Sequence, residues 1–232
     1  MSTAAAPPVV NASPIVGTPE DETFTIPGLS WDQYVTINDA LGDRAGLRTL
    51  FFEGTLTFVS PAYVHEWSED ALDKVILAVT LGCGIEMSVI GSTTLRRGPG
   101  AGLEGDRVYY LRDNVHAGPR PERIDLEVGP APDLAVEVEN THQATDAMAI
   151  YARLGVPEVW RHDARRGALT FWSLRPDGTY EAIVQSLAFP FLTPVDVLEQ
   201  LRRAGADQSS TRWFRQLTEW VRDVIAPRLD QP

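Results

Sequence analysis

Four acids in this chain carry types and spacings that could hold a hard cation. Glu66 falls near the start of a helical pattern and Asp106 opens a strand pattern. Glu137 and Glu139 lie inside a later strand pattern, two residues apart, so both side chains point to one sheet face. Carboxylates in a core strand cost free energy unless they are paired, metal-bound or at the sheet's end. Together they would suit Mg²⁺ or Mn²⁺, which take one or two carboxylates alongside waters and phosphate oxygens. An ion held this way activates a water and stabilises charge on a phosphoryl group. The competing reading is that these acids are solvated at strand ends or paired with Arg96, Arg107 or Arg161.

The elements that must position them follow from periodicity. Pro132 to Trp160 reads as strand, helix, strand. Asp133–Glu139 alternates apolar and acidic residues around Leu134-Ala135-Val136, a run that suits a strand covered on both faces. Ala147, Ile150, Tyr151 and Leu154 then recur at helical spacing, and Gly155 sits where a glycine ends a helix. Val156 to Trp160 begins the second strand, with Pro157 tolerable only at its start or on an edge. Upstream, Ser30-Trp31-Asp32-Gln33 resembles a capping box opening a helix to about Leu41. Leu47–Ser60 reads as a hairpin turning at Glu53-Gly54. Val64–Leu81 reads as a helix with a Leu72, Val75, Ile76, Val79 stripe. Ile85–Arg97 is expected to be one strand, Arg97 to Gly102 a loop, and Asp106–Leu111 another strand.

Downstream, Ala168–Leu174 and Thr179–Gln185 form a hairpin pattern. A helix opens at Thr193-Pro194, and a last helix near Ser210 aligns Trp213, Phe214, Leu217, Trp220, Val221 and Val224. Those aromatics suit either a homodimer face or core packing. Residues 1–22, rich in Ala, Pro, Ser and Thr, read as an extended arm, which leaves one domain over 23–232.

The chain has 232 residues and a net charge of −12, which argues against a broad basic surface for nucleic acid but not against a local one. No apolar run reaches the roughly 18–20 residues of a membrane span, and no signal-peptide pattern is visible. The lone Cys83 excludes an intramolecular disulfide and fits a reducing cytoplasm. No Gly-x-Ser-x-Gly, His-Glu-x-x-His or Cys/His metal cluster occurs.

The order of several blocks resembles a bacterial restriction-endonuclease family within the PD-(D/E)xK nuclease superfamily. They are Ser30-Trp31 with its helix, Phe52-Glu53-Gly54-Thr55-Leu56, Ser60-Pro61 before His65-Glu66, and Gly91-Ser92-Thr93-Thr94-Leu95. Glu104-Gly105-Asp106 before Tyr109-Tyr110, Pro132 to Val138, Ile150 to Arg161 and Ser186 to Leu192 complete the set. The resemblance spans roughly residues 25–225. It implies an α/β, restriction-endonuclease-like central mixed sheet flanked by helices, with an N-terminal helix-hairpin and a C-terminal hairpin plus helices. It also implies a metal-dependent endonuclease acting on DNA, with Glu66, Asp106 and Glu137 as metal ligands and Glu139 beside them. The superfamily's lysine falls at Ala147, or alternatively at Glu139, so neither place holds a lysine. The only lysine, Lys74, shares a helix face with Glu66 and Asp70, where a surface ion pair is the simpler role. Arg153 and Arg161 could clamp phosphate but are poor proton carriers, and His142 is a loop candidate for a base. The alternative function is a catalytically inactive module of the same fold that binds nucleic acid or protein.

Overall fold

The structure, a computed structural model, describes residues 20–42, 46–91, 93–115, 123–139, 147–207 and 209–229. In chain order its elements are β1 (Glu22–Ile26), α1 (Trp31–Leu41), β2 (Arg48–Phe52), β3 (Thr55–Ser60), α2 (Tyr63–Cys83), β4 (Met87–Gly91), β5 (Thr94–Arg97), β6 (Ala101–Glu104), β7 (Arg107–Leu111), β8 (Arg123–Asp125), β9 (Leu134–Glu139), α3 (Ala147–Leu154), β10 (Glu158–Asp163), β11 (Ala168–Leu174), β12 (Tyr180–Ile183), α4 (Pro194–Ala206) and α5 (Ser210–Trp220). Beyond α5 the helix widens over Val221–Ile225 and tightens over Ala226–Arg228.

Local chemistry explains most boundaries. Ser30 and Gln33 close a capping box at α1, as Thr193 and Asp196 do at α4 with Pro194 in its first turn. Glu53 and Gly54 both take positive φ, 45° and 81°, the two-residue turn whose twist matches a β-hairpin. Gly155, at φ 80°, stops α3 and sends the chain into β10.

Two mixed six-stranded sheets result, ordered β1-β3-β2-β6-β5-β8 and β12-β11-β10-β9-β7-β4. β9 and β10 run parallel, and α3 supplies the crossover that parallel strands need. α1 covers the outer face of the first sheet through Tyr34, Phe51 and Leu56. Between the sheets, Leu50, Leu95 and Leu103 meet Val108, Tyr110, Ala135 and the α3 residues Ile150 and Leu154. On the far face of the second sheet, α2, α4 and α5 pack over Tyr109, Val136, Val138, Trp160 and Phe171. No helix of the described residues is long and apolar enough to cross a membrane.

The central mixed sheet, its flanking helices, the N-terminal helix-hairpin and the C-terminal hairpin with two helices all match expectation. Four details differ. Ile85–Arg97 is not one strand: it breaks after Gly91, and β4 joins the second sheet while β5 joins the first. The glycine loop ends at Gly100, after which Ala101–Glu104 forms β6, fully buried. Arg123–Asp125 adds a short strand beside β5. On the last helix Trp213, Leu217, Val221 and Ile225 are buried, Phe214 and Trp220 are part-buried, and Val224 is exposed. That aromatic face is spent on packing within the chain. Of the expected arm, residues 1–19 lie outside the described residues, and Glu22 already pairs with Ser60 in the sheet.

Candidate active site

The buried stripe of α2 runs Val64, His65, Ser68, Glu69, Leu72, Val75, Ile76 and Val79. Its first turns carry His65 and Glu69 against the end of the second sheet. Asp106 stands directly ahead of β7, where that strand pairs with β9, and the Val138 N–H donates to Asp106 Oδ2 at 2.7 Å. His65 Nε2 lies 2.9 Å from the same oxygen, and His65 Nδ1 lies 3.2 Å from Asp21 Oδ2. Asp21 is itself held by the Ala62 N–H at 2.7 Å. Burial works to raise the Asp21 carboxyl, but the hydrogen bonds from His65 and Ala62 outweigh it and hold the group below its ordinary range.

The first sheet closes over this cluster. From β2, Arg48 Nη2 donates to Glu69 Oε2 at 2.6 Å, its Nη1 contacts Asp106 Oδ1, and Nη1 lies 3.0 Å from His65 Nε2. Arg107 Nε sits 2.7 Å from Glu69 Oε1 as an ion pair, its N–H pointing off the line of a hydrogen bond. A part-desolvated carboxylate bracketed in this way costs about 3–5 kcal/mol when one partner alone is removed. Glu137 projects from the opposite face of β9 and accepts from the Tyr151 hydroxyl at 2.8 Å. Burial pushes the Glu137 carboxyl above its ordinary range, partly offset by Tyr151; burial and the Glu137 charge push the Tyr151 hydroxyl well up.

A cavity of about 40 Å³ lies between the sheets, lined by Arg48, His65, Glu104, Asp106, Glu137, Glu139 and Ala147, among others. Of the four sequence-predicted acids, Asp106, Glu137 and Glu139 therefore share one cavity. Glu139 is paired there with Arg161 at 2.5 Å. Glu66 is not brought to it: one residue off the buried stripe, it lies exposed, and Glu69 takes the inward place. Ala147, 5% exposed, faces the cavity where the resemblance calls for a lysine. Lys74 pairs with Asp70 on the outer face of α2, Arg153 is exposed, and His142 lies outside the described residues.

Sequence reasoning missed Glu69, Arg48 and Asp21. Glu69 had a signal, since it stands three residues before Leu72 and seven before Ile76, on the apolar stripe itself. Arg48 had none, because its approach depends on how two sheets dock.

One ligand atom each from His65, Glu69 and Asp106 lies within 4.8 Å of the others, and all three residues are buried. Imidazole plus carboxylates is a donor set that fits a divalent cation. Such an ion would have to share or take the space of the Arg48 guanidinium.

The family described as "Uma2: Putative restriction endonuclease" matches residues 31–206. Among solved structures the chain is similar to "a putative nuclease belonging to DUF820" from Anabaena variabilis, at 13% identity and a TM-score of 0.49, covering 74% of this chain and 98% of that one. No curated protein matches.

Proposed function

The chain belongs to the Uma2 family, and on that premise we propose that it hydrolyses phosphodiester bonds of DNA with a bound Mg²⁺ or Mn²⁺. One observation carries the reading: Glu69, Asp106 and His65 converge, and His65 and Asp106 line a cavity together with Glu137. Asp106, Glu69 and His65 would hold the ion, with Glu137 on the cavity that Asp106 and His65 line. When bound, a divalent cation polarises a phosphoryl oxygen and acidifies a coordinated water.

The chain's own residues do the rest. The carboxyl of Glu137, which burial holds above its ordinary range, is placed on the cavity to take a proton. Water's oxygen bonds to phosphorus, its proton passes to Glu137, and the bond to the leaving sugar oxygen breaks as that oxygen is protonated from solvent. Tyr151 fixes the Glu137 carboxylate, and Arg161 fixes Glu139 beside it. The lone Cys83 suits a reducing compartment, so we place the reaction in the cytoplasm.

Nicking of supercoiled plasmid by the purified protein tests this. Cleavage is expected with Mn²⁺ or Mg²⁺, none with EDTA, and a loss of about 10²-fold or more in Asp106→Asn and Glu137→Gln. The cavity position of Ala147, without its lysine, favours a second reading as an inactive module that binds nucleic acid or protein. No cleavage with either ion, alongside retained binding to DNA fragments, would select that reading.

A further inference from the structure

Arg48 bridges Glu69 and Asp106 from the first sheet, the one that does not carry Glu137. It begins β2, with its side chain only 12% exposed, and it touches Glu69, Asp106 and His65 together. Those are the same three residues that could hold a metal ion. A guanidinium and a divalent ion compete for those oxygens, since like charges repel strongly where water is scarce. The cavity beside the guanidinium, about 40 Å³, has room for a few waters. Both acids have partners besides Arg48. Asp106 is also held by the Val138 N–H and His65, and Glu69 by Arg107.

We propose that Arg48 is the site's resident counter-cation, exchanged for the divalent ion, and that the displaced guanidinium then clamps the substrate phosphate. The second half rests on the nuclease reading; the first does not. A guanidinium is always charged and offers a planar fork that matches two phosphate oxygens, so it can stabilise charge but cannot carry the proton a lysine would. Arg48 thus supplies, from the first sheet, the positive charge absent at Ala147.

The test is Mn²⁺ titration by calorimetry on wild type, Arg48→Met and Arg48→Lys, with plasmid cleavage on the same samples. Arg48→Met keeps the apolar stem and loses the charge. Its metal-free melting temperature is expected to fall, Mn²⁺ to restore it, and its Mn²⁺ affinity to exceed wild type by about tenfold or more. Arg48→Lys, which keeps a charge and so guards against misfolding, should fall between. Unchanged or weaker Mn²⁺ binding in Arg48→Met, or no binding by any of the three, overturns the exchange. Slower cleavage by Arg48→Met at saturating Mn²⁺ supports the clamp, and equal or faster cleavage overturns it. If affinity shifts while wild type never cleaves, the exchange stands and the nuclease reading fails. If wild type cleaves and affinity does not shift, the reverse holds.

Discussion

His162 lies 5% exposed on β10, and its Nδ1 has no partner among the described residues. Burial holds its pKa at about 4, and the nearby charge of His65 pushes the same way against Asp163. Between pH 4 and the ordinary value of 6.5 the unfolded chain binds a proton that the native chain refuses. Stability is therefore lost as pH falls through that window, by about 2 kcal/mol between pH 7 and pH 4.5. Urea unfolding at both pH values should show that extra loss in wild type and not in His162→Leu; equal losses would contradict it. Legibility at this scale was uneven. Asp106, Glu137 and Glu139 could be picked from the sequence because each stands in or at a strand whose pleat fixes its direction. Glu66 was picked over Glu69 because both sit in the first turns of α2, and only the apolar stripe separates the inward acid from the outward one. Arg48 carried no local mark at all.

At the scale of elements, the approach of α3 to the β6–β7 connection is set by Gly105. A Cβ there would stand 2.3 Å from the Tyr151 hydroxyl that holds Glu137. Gly105→Ala should cost about 1–3 kcal/mol by overpacking, and Tyr151→Phe a similar amount by leaving Glu137 without its donor. In the Tyr151→Phe background the Gly105→Ala penalty should shrink, because the clashing oxygen is gone; additive penalties in a thermal double-mutant cycle would refute the contact. Capping residues, hairpin turns and the strand–helix–strand unit were readable because their signals are local. The division of Ile85–Arg97 was not. Both halves have strand composition, and only the docking of two sheets sends β4 to one and β5 to the other. β6 was read as part of a glycine loop since Gly102 hides a strand pattern that the Leu50–Leu103 pairing enforces.

At the scale of the molecule, the site exists because one core ties both sheets together. Leu103 and Leu95 from the first sheet pack with Val108, Ala135 and Val159 from the second. The described residues should therefore unfold in one transition. Leu103→Ala is expected to lower that single transition by about 2–5 kcal/mol of stability, whereas two separated heat-capacity peaks would show that the sheets fold independently. With a net charge of −12, the DNA binding proposed above would rest on local arginines. The central claim is that His65, Glu69 and Asp106 form a cation site at this junction. Calorimetric titration of Mn²⁺ into wild type, Glu69→Gln and Glu66→Gln tests it most directly. Binding should appear in wild type and in Glu66→Gln and disappear in Glu69→Gln. Binding that survives Glu69→Gln, or fails in wild type at millimolar ion, would contradict it.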